Sequence, residues 1–163
     1  MRVLIASASR HGATHEIAEA IGRALEDRGL DTRVARVEDV DDPTGFDAVV
    51  LGSAVYAGRW LEPARRFVER YRDQLAHHPT WLFSSGPVGD PPRPEDADAV
   101  HLGETVEGLT VRDHHVFAGR LDRHRLGLAE RALVTAFRAP DGDFRDWEGI
   151  GVWASSIADE LQV

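Results

Sequence analysis

The chain has 163 residues, of which 42% are hydrophobic and 29% charged, with a formal net charge of −9 and neither Cys nor Lys. That length suggests one domain over residues 1–163 with a sizeable core, and the residue balance is that of an ordinary globular protein. Disulfides, thiolate metal sites, cysteine nucleophiles, Schiff-base lysines and a P-loop lysine are excluded, and the acidic balance argues against general nucleic-acid binding.

The N-terminus opens as Met1-Arg2-Val3-Leu4-Ile5 and turns polar by Ser7, too short an apolar start for a secretory signal. A cytoplasmic location is expected, and the longest apolar runs are strand-sized, so no membrane-spanning segment is expected. Residues 2–7 read as a buried strand and residues 14–28 as a helix, with Ile17, Ile21, Ala24 and Leu25 on one stripe and Gly29 as its stop. Residues 32–37 alternate as a short strand, residues 38–42 form an acidic connector, and residues 47–51 give an apolar strand ending at Gly52. Leu61, Ala64, Phe67, Val68, Tyr71 and Leu75 mark a helix entered through Pro63. Residues 80–84 form the next strand, residues 88–94 a Pro/Gly-rich loop, residues 95–107 a weak helix and residues 114–118 a further strand. Residues 126–138 read as a helix, Pro140-Asp141-Gly142 as a turn, and Trp147, Ile150, Ala154, Ile157, Ala158 and Leu161 as the stripe of a final helix.

Apolar strands alternating with helices are buried on both faces, which predicts a doubly wound α/β sandwich: a five-stranded parallel sheet with helices on both sides. Ligands of such folds sit outside the carboxyl ends of the strands, so the turns there carry the functional argument. The first turn is Ser7-Ala8-Ser9-Arg10-His11-Gly12-Ala13-Thr14. Ser9 and Thr14 bring hydroxyls, Gly12 allows close backbone approach, and the helix that follows has no capping box to cover its first N–H groups. Two readings stand: a phosphate site, or a plain strand-to-helix turn. The turn lacks both G-x-G-x-x-G and G-x-x-x-x-G-K-[ST], which leaves a mononucleotide with one terminal phosphate, with flavin mononucleotide (FMN) as the candidate.

Four stretches, "SRHGATHEIA" (9–18), "VVLGSAVYAGRWLEPARRFV" (49–68), "VFAGRL" (116–121) and "DWEGI" (146–150), resemble the flavodoxin superfamily. The nearer resemblance is to the flavodoxin-like, menaquinone-dependent protoporphyrinogen IX dehydrogenase family and to bacterial flavodoxin-domain proteins akin to it. The resemblance implies an FMN-binding flavodoxin fold of strand order 2-1-3-4-5. Ser9, Arg10, His11, Gly12, Ala13 and Thr14 would hold the phosphate. Ala54, Val55, Tyr56, Ala57 and Gly58 would lie along the ring and ribityl chain, with Ser85, Gly86 and Pro87 on the other side. Tyr56 or Trp60 would stack on the ring, Tyr56 being preferred and Trp60 having the alternative of stapling the next helix to the core.

The fourth-strand turn, Ser84-Ser85-Gly86-Pro87-Val88-Gly89-Asp90, has no aromatic, so one flavin face would be open to a substrate. Arg59, Arg93, Arg120, Arg123 and Arg125 fall in turns expected at the same edge, where they would raise the flavin potential or serve as ordinary surface residues. The implied activity is two-electron oxidoreduction, with a porphyrinogen substrate and a quinone acceptor as the finer form. The alternatives are an electron carrier without its own substrate and a scaffold that has lost its cofactor. No catalytic acid or base stands out; Tyr56 and His124 are the weak candidates. His11 and His15 have no evident third ligand, so no metal site is expected, and no G-x-S-x-G elbow is present.

Overall fold

The computed structural model describes residues 1–56, 58–86, 100–121, 142–143 and 145–163. Strand β1 (Arg2–Ala8) runs into helix α1 (Ala13–Asp27), followed by β2 (Asp31–Arg36) and a 3-10 turn (Val37–Asp39). Next come β3 (Ala48–Tyr56), β4 (Arg59–Trp60), α2 (Glu62–Arg70), α3 (Arg72–Leu75) and β5 (Thr80–Ser85). Strands β6 (Val111–Phe117), β7 (Arg120–Leu121) and β8 (Gly142–Asp143) precede the final helix α4 (Trp147–Leu161).

The parallel sheet has the order β2-β1-β3-β5-β6, which is the expected 2-1-3-4-5 arrangement once the short β4 is set aside. Burial follows from position in the sheet. The inner strands β1 and β5 are buried nearly throughout, whereas the edge strands β2 and β6 expose much of their length. Side chains of the inner strands alternate between two cores. Val3, Ile5, Val50, Trp81 and Phe83 meet α1 and α4, while Leu4, Ala6, Leu51 and Leu82 meet α2 and Leu102. Helix α4 starts on Asp146, whose carboxylate accepts the Gly149 N–H at 3.0 Å, and it lies against α1.

Three expected boundaries change. The third strand does not stop at Gly52 but continues to Tyr56 and turns back through Gly58 (φ 76°) into β4, pairing Val55 with Trp60 and Tyr56 with Arg59. Gly52 is there for space, not for a turn: a Cβ at this position would stand 2.1 Å from the ring of Phe83, its partner on β5. The single helix expected around Pro63 is divided at Tyr71 (φ −112°, ψ 21°), whose hydroxyl donates to the Asp41 carbonyl at 2.7 Å. The weak helix expected over residues 95–107 is replaced, over residues 100–107, by turns around Gly103 that bury Val100 and Leu102. The expected loop over 88–94 and helix over 126–138 lie outside the described residues, as do Pro140 and Asp141.

Candidate functional site

The carboxyl ends of the inner strands are brought level by their register. Ala8 pairs with Ser53, Ala54 with Ser85, and Ser85 with Phe117, so the turns after β1, β3 and β5 open at one edge of the sheet. At the first turn the Gly12 N–H donates to Ser9 Oγ at 2.9 Å, closing the loop on itself. Gly12 is the cap residue of α1 in the left-handed region (φ 90°), with nothing within 4 Å of where a Cβ would sit. Its carbonyl accepts the Glu16 N–H at 3.0 Å, and no side chain caps the helix. The N–H groups of Ala13, Thr14 and His15 therefore precede the first intrahelical donor and face the turn. Thr14 is 2% exposed, and its hydroxyl makes no hydrogen bond among the described residues. His15 sits behind the loop, with Nδ1 3.1 Å from Ser7 Oγ and Nε2 3.6 Å from Glu19.

The first and third turns meet through Arg10, whose guanidinium lies 5.4 Å from the centroid of the half-buried Tyr56 ring. Val55 points into the core, and Ala54 is partly exposed beside it. Ser53 Oγ accepts the Leu61 N–H at 3.0 Å and donates to the Ala54 carbonyl at 2.8 Å, anchoring the β3–β4 hairpin to the start of α2. The His101 N–H donates to the Gly58 carbonyl at 2.7 Å and holds the hairpin turn from the other side. After β5, Ser85 is buried, and Gly86 (φ 82°) donates to the Phe117 carbonyl at 2.9 Å. A Cβ on Gly119 would come within 3.2 Å of Gly86 N and Ser85 Oγ.

Trp60 does not line this edge. It is 2% exposed, and its Nε1 donates to Ser84 Oγ at 2.8 Å; Ser84 Oγ lies 2.7 Å from His114 Nε2. It is thus the staple, which leaves Tyr56 as the aromatic at the turn. Burial pushes His114 below the ordinary histidine value, opposed by the neighbouring Asp113, and burial likewise lowers His115. Arg59 is exposed on β4 and Arg120 begins β7. Ala57, Pro87, Arg93, Arg123, His124 and Arg125 lie outside the described residues.

One contributor was not foreseen. Arg145 reaches the first turn of α1, pairing with Glu16 while its Nη1 approaches the Ala13 carbonyl at 3.4 Å. Only proximity to "DWEGI" in the sequence hinted at it. Among the described residues no group of three His, Asp or Glu side chains is placed to hold a metal ion. The donor set at the first turn consists of amides, hydroxyls and a guanidinium, and the carboxylates of Glu16 and Asp143 beside it are both paired with Arg145. Such a set fits a monophosphate anion.

A doubly wound sheet of this order with an uncapped helix start after β1 defines a flavodoxin-type α/β fold. Residues 4–147 match the family model described as "Flavodoxin domain", and the chain belongs to that family. It is 29% identical, over 172 aligned positions covering 97% of this chain and 95% of the other, to a protoporphyrinogen IX dehydrogenase [quinone] of Escherichia coli strain K12. Among solved structures it resembles a flavodoxin from the domain Archaea (TM-score 0.65, 20% identity, 100% of each chain covered). It also resembles Flavodoxin 2 from Bacillus cereus (TM-score 0.66, 20% identity, 98% and 99% covered). At that identity the likeness concerns the fold.

Proposed function

We propose that this protein is an FMN-dependent oxidoreductase that works by two-electron transfer. The observation that carries the reading is the uncapped start of α1, with Ser9, Arg10, Gly12 and Thr14 gathered around it and Arg10 laid against Tyr56 of the next turn. In this reading Ser9, Arg10, His11, Gly12, Ala13 and Thr14 take the phosphate. Tyr56, with Ala54, Val55, Ala57 and Gly58, borders the ring, and Ser85, Gly86 and Pro87 complete the opposite wall. When bound, FMN supplies the redox chemistry; the chain supplies position and electrostatics. The helix amides and Arg10 neutralise the phosphate, Ser9 keeps the loop in its receiving shape, and Ser53 and His101 fix the hairpin that carries Tyr56. The absence of an aromatic from residues 84–90 after β5 supports substrate access to one ring face in this reading.

The dehydrogenase relative, aligned over nearly the whole chain, supports a porphyrinogen-like substrate and a quinone acceptor as the finer form. A second reading is favoured by the flavodoxin fold neighbours: an electron carrier with no substrate of its own. In either case a redox partner or a small-molecule substrate is expected, in the cytoplasm; no helix of the described residues is long and apolar enough to cross a membrane.

The test is to purify the protein, add FMN and record flavin absorbance and fluorescence. Stoichiometric binding is expected, and Thr14→Ala and Ser9→Ala should each weaken it by about ten-fold, the loss of one hydrogen bond to a charged group. Unchanged affinity in both variants would overturn the phosphate assignment. Anaerobic reductive titration then separates the two readings. One unresolved two-electron stage, with turnover of protoporphyrinogen and a quinone, supports the enzyme; two resolved one-electron stages without turnover support the carrier.

A further inference from the structure

Arg145 stands just before the cap of α4, far in sequence from the first turn, yet its side chain is only 5% exposed. Its Nε and Nη2 hold the Asp143 carboxylate in a two-pronged bond of 2.8 and 2.7 Å. Its Nη1 pairs with Glu16 and approaches the Ala13 carbonyl at 3.4 Å, and Trp147 covers the guanidinium with its ring centroid 4.5 Å away. Ala13 and Glu16 are in the first turn of α1, the turn whose amides face the proposed phosphate site. Arg145 thus joins that turn to the start of α4 and brings a permanent positive charge to its wall.

The charge matters because of what surrounds it. An acid in the first turn of a helix suits the dipole of an empty helix, but it repels an anion seated on the same amides. Glu16 is such an acid, and Asp143 adds a second negative charge nearby. We infer that Arg145 is a positioning residue that neutralises Glu16 and so sets the preference of the site for phosphorylated over unphosphorylated flavin. The inference rests on the FMN reading above. It adds that the discrimination depends on a residue touching no ligand atom, through a side chain at the far end of the sequence.

The test compares FMN with riboflavin, which lacks the phosphate, by flavin fluorescence titration. Wild type should bind FMN well and riboflavin weakly. Arg145→Met should lower FMN affinity by about ten-fold while moving riboflavin affinity less than about two-fold, since only the phosphate feels the lost positive charge. Adding Glu16→Gln to Arg145→Met should restore most of the FMN affinity, and the Arg145→Met defect should shrink in high salt. Equal losses for FMN and riboflavin, or no rescue by Glu16→Gln, would overturn the inference while leaving the FMN reading intact. A wild type that binds neither flavin removes both. If Arg145→Met does not fold, Arg145→Lys carries the test, because it keeps the charge without the two-pronged geometry. An FMN-to-riboflavin ratio within about three-fold of wild type supports charge compensation, and a collapsed ratio refutes it.

Discussion

Within the core behind the hairpin, Trp60, Ser84 and His114 form a hydrogen-bonded chain. The Trp60 indole can only donate, so Ser84 Oγ accepts from it at 2.8 Å, and the same hydroxyl lies 2.7 Å from His114 Nε2, where it donates or accepts according to the imidazole's tautomer. Burial opposes the charged form of His114 first and the adjacent His115 adds to the effect, with Asp113 pulling the other way; His115 is lowered by burial too, against Asp113 and Asp146. Both histidines therefore titrate lower in the folded chain than in the unfolded one. Between those two values the unfolded chain binds more protons, so stability rises with pH. The contribution is complete above the ordinary histidine value and is lost as pH falls through it toward the folded value. The melting temperature should fall between about pH 7.5 and about pH 5, and His114→Gln should flatten that fall while costing about 1 kcal/mol at the upper end. Thermal melts across that range check it; a His114→Gln profile parallel to wild type would place the proton sensitivity elsewhere.

At the scale of elements, β3 shows where local reading succeeds and where it fails. Its apolar run Val49-Val50-Leu51 identifies a buried strand, and the same signal located β1 and β5, because a strand buried on both faces advertises itself in consecutive residues. The stripe of α4 was equally legible, since a 3.6-residue period needs no partner to be seen. Gly52 misled because the sequence shows a missing side chain without showing what occupies the space; the occupant, Phe83, belongs to another strand. The break at Tyr71 was hidden for a similar reason, as the apolar period runs through it unbroken while its hydroxyl binds Asp41. Of the candidate site, the turn after β1 could be read because strand, turn and helix are contiguous. Arg145 could not, because it lies 129 positions from Glu16. Gly52→Ala should cost about 1–3 kcal/mol through overpacking, since the Phe83 ring must move within a filled core. Urea denaturation measures the loss. The double variant with Phe83→Leu should show a smaller penalty for the Ala than wild type does; strictly additive effects would mean that the clash is not the cause.

Across the whole molecule the two cores share one sheet. Val3, Ile5, Val50 and Phe83 face α1 and α4, while Leu4, Ala6, Leu51 and Leu82 face α2, and these residues alternate along the same strands. A shift of register in β1, β3 or β5 would send both sets to the wrong side at once, so neither core can loosen while the other keeps its packing. The sheet and the helices packed on its two faces should accordingly unfold as one cooperative unit. Trp153 offers a sensitive probe: it is buried on the α4 side, its Nε1 donates to Asp113 at 2.8 Å, and its ring meets those of Phe83 and Phe117. Trp153→Ala should remove about 3–5 kcal/mol and lower the urea midpoint by about 2 M. The decisive measurement is made on the opposite core. Hydrogen exchange of the α2 amides and far-UV circular dichroism should move to the same new midpoint as Trp fluorescence, because the α2 side has no stability apart from the sheet it shares. If the α2 side kept its original midpoint while the α4 side melted early, the two faces would be separate units, and the sheet would be their boundary, not their common frame.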